Sequence, residues 1–204
     1  MVAVKEVKAK EVKLELAIDP ALVIGAMGYS EAAPPNLEER ITEAINNALP
    51  LINPAGTYIT IPIKSASDKV VTDKITINSK DVAALLKPCS KLSLFLATIG
   101  PLLEQRIQES DALDSLILDT LGSISVEEAA NRLNQVISDE AETKGFKTTR
   151  RYSVGYGDWD IRQQRELLGI LNGSKLGVTV TESSIMLPQK SITAVLGWYE
   201  GTRA

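Results

Sequence analysis

The chain has 204 residues, 44% of them hydrophobic and 24% charged, with a net charge of −4. This suits one domain over 1–204 with a core of its own, and suits nucleic acid poorly, because phosphates need a basic face. One cysteine and no histidine exclude internal disulfides, multi-cysteine or histidine metal centres, and catalysis of the Ser-His-Asp or Cys-His type. A reaction assisted by this chain is therefore one driven by holding and orienting reactants.

VKLELAI (12–18) alternates apolar and polar residues and predicts a half-buried strand, closed by Asp19-Pro20. Gly25 and Gly28 flank a loop ending at Tyr29. Asn36 is the expected N-cap of a helix that presents Leu37, Ile41, Ala44, Ile45 and Ala48 on one face and stops at Pro50. TYITIPIK (57–64) reads as a strand placed at an edge by Pro62, and KVVTDKITIN (69–78) as another strand. Ser79 caps the short helix KDVAALLK. LSLFLATIG (92–100) is the most apolar strand candidate and belongs at the centre of the sheet, with Cys89 as a half-buried thiol beside it.

Gly100-Pro101 turns the chain into the helix PLLEQRIQES. A long helix is expected over 111–145, where Leu113, Leu116, Ile117, Leu121, Ile124, Leu133 and Ile137 keep the helical period. Asp111 and Asp114 resemble a capping box, and Gly145 closes the helix. Residues 159–173 read as a further helix, and LGVTVTES and SITAVLGWY as two strands. Strands and helices alternate without a βαβ rhythm, so the expected fold class is α+β. No apolar run approaches the ~20 residues of a membrane span, and the start has no signal-peptide core, so no membrane and a cytoplasmic location are expected.

The chain has two Trp, five Tyr and two Phe, and RRYSVGYGDWD (150–160) gathers Tyr152, Tyr156 and Trp159. In an extended segment Arg150 and Arg151 point to opposite faces, so at most one serves a given site. An arginine fork suits a carboxylate, glycines let a ligand approach the backbone, and Tyr156 or Trp159 offers a π face to a cation or an adenine ring. The alternative is a glycine turn whose aromatics cover a core edge, and composition alone favours it. Glu127 and Glu128 lie ~100° apart around the long helix, so they face differently; two solvated glutamates are the plain reading. Met27 and Met186 read as core filler. Dinucleotide and P-loop fingerprints are missing.

RYSVGY (151–156) resembles the R-x-x-x-G-Y signature of the activation domain of cobalamin-dependent methionine synthase. ATIG (97–100), ILDTLGSISVEEAANRL (117–133) and GVTVTESSIMLPQKSITAVLG (177–197) are similar to that family's other segments, in the same order. The resemblance covers nearly the whole chain, and Gly28-Tyr29 fits the shorter free-standing relatives. It does not extend to the family's aromatic contacts beyond GWYEG or to its amino-terminal acidic contact.

The resemblance implies a curved, mainly antiparallel sheet with flanking helices, one of them long, and a shallow site for S-adenosylmethionine. By position, Arg151 would hold the methionyl carboxylate, the backbone from Ser153 to Gly155 would contact adenine or ribose, and Tyr156 would line the site. Glu127 is the matching acid, with Glu128 in reserve. The implied role is reductive methylation of cobalamin on a partner, a corrinoid-binding methionine synthase or related methyltransferase, with flavodoxin or ferredoxin as electron donor. The rival readings are a docking module for a corrinoid protein, an activator of a different corrinoid methyltransferase, and an unrelated α+β domain.

Overall fold

The computed structural model describes residues 8–28 and 35–201, and the loop end expected at Tyr29 lies outside them. In chain order the elements begin with β1 (Lys10–Lys13), α1 (Pro20–Ala26), α2 (Pro35–Ala48) and β2 (Ala55–Pro62). A small hairpin sheet follows, made of β3 (Ser65–Ala66), β4 (Val70–Val71) and β5 (Thr76–Ile77), then α3 (Lys80–Leu86) and β6 (Lys91–Thr98). After α4 (Leu102–Glu109) comes the 32-residue α5 (Ala112–Thr143). The chain closes with β7 (Phe146–Thr148), β8 (Tyr152–Ser153), α6 (Gln164–Ile170), β9 (Thr179–Val180), β10 (Met186–Leu187) and β11 (Ser191–Glu200).

The main sheet runs β1-β2-β6-β11-β7, with β8 also paired to β11, and every pairing is antiparallel. This is the curved antiparallel sheet with one long helix that the resemblance implies. β6 is central because LSLFLAT carries no charge that would need water on either face; Leu92 through Thr98 are all buried. Its side chains alternate between two cores. Phe95 and Ala97, with Ala194, Leu196 and Trp198 of β11, pack toward α5 and α2. Leu92, Leu94, Leu96 and Val195 pack the other way, against Val82, Leu86, Trp159 and Leu167.

α5 lies close on the sheet because Gly56 has no side chain. A Cβ there would come within 2.6 Å of Leu133 Cδ2. Leu121, Leu133 and Ile137 are fully buried along the helix, and each such side chain contributes about 2 kcal/mol. Asp111 caps the helix by accepting from the N–H groups of Leu113 (3.0 Å) and Asp114 (2.9 Å). Gly145, at φ +79°, reverses the chain after it.

Several local expectations are corrected. Residues 20–26 form a helix, capped by Asp19 Oδ1 accepting from Ala21 N at 2.9 Å. Of the alternating segment 12–18 only Val12 and Lys13 pair as a strand, which begins earlier, at Lys10. Residues 69–78 hold two strands, because Thr72 Oγ1 accepts from Lys74 N and Ile75 N and so folds a turn between them. β2 lies inside the sheet at Ala55–Tyr58, where β1 covers it; Pro62 falls beyond β1, on the stretch with an open edge.

Candidate functional site

The site begins where the chain leaves the sheet. β7 pairs with β11 as far as Thr148, and β8 rejoins it at Tyr152. Between them the Thr149 hydroxyl accepts from Gly197 N at 2.9 Å, so a side chain stands in for the backbone acceptor of a regular ladder. The residues released by this break send their arginines in different directions. Arg151 reaches α5, where it donates to Asn131 Oδ1 at 2.6 Å and pairs with Glu127 Oε2. Arg150 turns back, its guanidinium centre 5.8 Å from the Tyr152 ring centroid. Both nevertheless line one depression, described below, which corrects the expectation that at most one of them serves a given site.

A tight turn follows over 153–159. Gly155 N donates to Trp159 O (3.0 Å) and Trp159 N to Tyr156 O (3.0 Å). Gly155, at φ +88°, adopts a backbone that suits glycine, while Ile161 leaves room at 3.7 Å for a Cβ. Its glycine therefore serves the turn. A side chain at Gly157 would collide with Tyr152 Oη and the Asp81 carboxylate. Asp158 accepts from Ser79 Oγ, Lys80 N (2.7 Å) and Asp81 N (3.3 Å), which ties the turn to the start of α3. The Ser79 hydrogen bond, then that of Lys80, holds the Asp158 carboxyl below its usual range.

The aromatic cluster thus divides. Trp159 is 1% exposed, and its Nε1 donates to Gln163 Oε1 at 3.0 Å. It belongs to the core, which corrects its reading as a ligand platform. Tyr152 donates to Asp81 Oδ2 at 3.0 Å and is half-buried. Tyr156 is 70% exposed and stands alone over the surface. The packed-turn reading accounts for two of the three rings and leaves the third free.

Two depressions meet at Glu127, Ser153 and Tyr156. One, of about 360 Å³, adds Arg150, Arg151, Tyr152 and Gly157, and so combines charged groups with aromatic surface. The other, of about 330 Å³, continues past Val154 and Ile161 to Gln164, Met186 and Thr193, and is mixed apolar and neutral polar. Gly155 lines neither. Glu127 is the glutamate that faces both, whereas Glu128 pairs with Arg132 one turn on, at 2.7 Å.

The arrangement can take a molecule with a zwitterionic end and a neutral flat end. Among the described residues no group of three or more His, Cys, Asp or Glu is placed to hold a metal ion. Asn131, missed in the sequence, was accessible there, since it lies four residues after Glu127 on the same helix face. Gln164 and Thr193 carry no local signal, because only the fold brings α6 beside β11.

The fold and site together define an α+β domain with an open, shallow groove at the edge of a curved antiparallel sheet. No family model matches the chain, and no curated protein matches it. Among solved structures, the chain is similar to the crystal structure of the MetH reactivation domain bound to AdoHcy. The TM-score is 0.66 at 13% identity, covering 98% of this chain and 81% of that one. The fold expected from the sequence resemblance is the fold found. Among the described residues no helix is long and apolar enough to cross a membrane.

Proposed function

We propose that the chain binds S-adenosylmethionine across the paired depressions and reactivates a corrinoid protein in trans. The reaction is reductive methylation of cob(II)alamin to methylcobalamin, with one electron from flavodoxin or ferredoxin, the methyl group from S-adenosylmethionine, and release of S-adenosylhomocysteine. The observation that carries this reading is the pairing of Arg151, in one depression, with Glu127, on the wall that this depression shares with its more apolar neighbour, in a fold shared with a domain crystallised with AdoHcy.

The residues fit the ligand. Two of the five Arg151 N–H donors are engaged, by Asn131 and Glu127, among the described residues. The Glu127 side chain is 56% exposed, so this pair is weak enough for a ligand carboxylate to share or replace it. Glu127 then faces the ligand's α-ammonium, and Ser153 and Tyr156 cover the middle of the groove. The volumes lie at the lower end of those of small-molecule sites.

The corrinoid, carried by its own protein, supplies the nucleophile and the low-potential couple. The work left to this chain is to anchor the amino-acid end, aim the sulfonium methyl outward and exclude water, which needs no general acid or base. That agrees with a chain without histidine. The exposed side chains of Tyr156, Ile161 and Ile185 rim the same groove and offer the partner an apolar contact. They also support a second reading, in which the chain docks on a corrinoid protein without binding S-adenosylmethionine.

The test mixes the chain with candidate corrinoid proteins, reductant and methyl-labelled S-adenosylmethionine. Label on cobalt that depends on this chain is the expected result. Corrinoid reactivation that depends on the chain but not on S-adenosylmethionine would leave the docking role.

A further inference from the structure

Gln164 and its neighbour Gln163 form a natural contrast. Gln163 has both ends of its amide paired: its Oε1 accepts from Trp159 Nε1 and Asn78 N, and its Nε2 donates to Thr76 O at 2.8 Å. That is what a structural glutamine in a core requires. Gln164 is 3% exposed, yet its Nε2 has no partner among the described residues. Its Oε1 accepts from Thr193 Oγ1 at 2.9 Å, and the NH₂ is the end left without a protein partner.

An orphaned buried donor disfavours folding by roughly ten- to a hundredfold in the equilibrium constant, a cost that a methionine of similar length would avoid. Both Gln164 and Thr193 line the neutral depression, next to Val154, Ile161 and Met186. The end of the groove away from Arg150 and Arg151 therefore asks for different chemistry, and just beneath its largely apolar wall lies one amide N–H without a protein partner. Such a wall suits a planar ring, and such a donor suits a ring nitrogen with a lone pair in the plane.

We infer that the Gln164 carboxamide, oriented by Thr193, selects the heterocyclic end of the ligand by donating to one acceptor nitrogen on the edge of its ring. The inference rests on the S-adenosylmethionine reading above and adds to it a specificity-determining residue outside the 150–160 segment. Thr193→Val would release the amide and weaken the same selection.

The experiment compares S-adenosylhomocysteine with its 1-deaza, 3-deaza and 7-deaza analogues by calorimetry, on the wild-type chain and on Gln164→Met, with melting curves to verify folding. One of the three analogues is expected to bind the wild type about tenfold more weakly than the parent compound, and this discrimination should fall to within about twofold in Gln164→Met. Arg151→Ala, by contrast, should weaken all four compounds alike. Equal binding of all four to the wild type overturns the inference and leaves the S-adenosylmethionine reading standing. So does a discrimination that survives in Gln164→Met. Failure of S-adenosylhomocysteine itself to bind the wild type overturns both.

Discussion

Replacing Glu140 with glutamine tests how α5, the helix that carries Glu127 and Asn131, is locked to the sheet. The Glu140 side chain is 17% exposed and accepts from Lys10 Nζ of β1 at 2.7 Å, from Lys144 beyond the end of α5, and from the buried Tyr58 hydroxyl of β2. Burial on its own would raise its pKa. The hydrogen bonds from Lys10, Lys144 and Tyr58 and the charge of Lys10 outweigh burial and hold the carboxyl at about 2. Tyr58 moves the opposite way, raised first by burial and then by its bond to Glu140.

Because the folded value lies below the unfolded value of about 4.3, the carboxylate stabilises the fold fully above about pH 5 and loses that contribution as pH falls toward 2. The gap between the two values sets an upper limit of about 3 kcal/mol. The two lysines are 57% and 50% exposed, and solvent screening of their share brings the expected loss in Glu140→Gln to about 2 kcal/mol at pH 7. For a chain of this size that lowers Tm by about 4–8 °C. Thermal and urea melts of both proteins from pH 7 down to about 2.5 should show a gap at neutral pH that closes in acid. A gap of constant size, or none at pH 7, would refute the reasoning.

Other substitutions separate the roles within the aromatic stretch. Trp159→Ala, at a site 1% exposed, should cost about 3–5 kcal/mol, whereas Tyr156→Ala, at a site 70% exposed, should stay within about 0.5 kcal/mol in the same melts. Gly157→Ala should destabilise by about 2–3 kcal/mol, since its Cβ collides with Tyr152 Oη and Asp81 on a backbone at φ +52°; unchanged stability would show that the turn relaxes freely. Cys89 is buried and its thiol is pushed up to about 11 by that burial, so a thiol reagent at pH 8 should modify it at a rate set by unfolding and accelerate sharply in denaturant. Rapid labelling of the native chain would contradict this.

What the sequence disclosed follows from the range of the forces involved. β6 was legible because seven uncharged residues in a row have nowhere to lie but between two layers. α3 and α5 were legible because Ser79 and Asp111 cap them through bonds spanning two or three residues. The different directions of Arg150 and Arg151 were legible only in part, since both line one depression, and Glu127 was marked by the family resemblance, not by the helical period, which favoured two solvated glutamates. α1 was hidden because PALVIGA is apolar throughout and so shows no helical period of polar and apolar residues; the Asp19-Pro20 start was its one signal. The division of labour between Trp159 and Tyr156 depends on α3 and α6 closing over one ring and not the other. Gln164 meets Thr193 across 29 residues, a contact that no local pattern encodes.

The central claim is that Arg151 and its surroundings grip S-adenosylmethionine, and calorimetric titration of the wild-type chain and Arg151→Ala with S-adenosylhomocysteine tests it most directly. The arginine pairs with a half-exposed glutamate, so its loss should cost the fold no more than about 1 kcal/mol, and the two melting curves should nearly coincide. Saturable heat is expected with the wild type, and binding at least about thirtyfold weaker in the variant. No heat with the wild type, with or without a corrinoid protein present, or equal affinity in the two proteins, would contradict the claim.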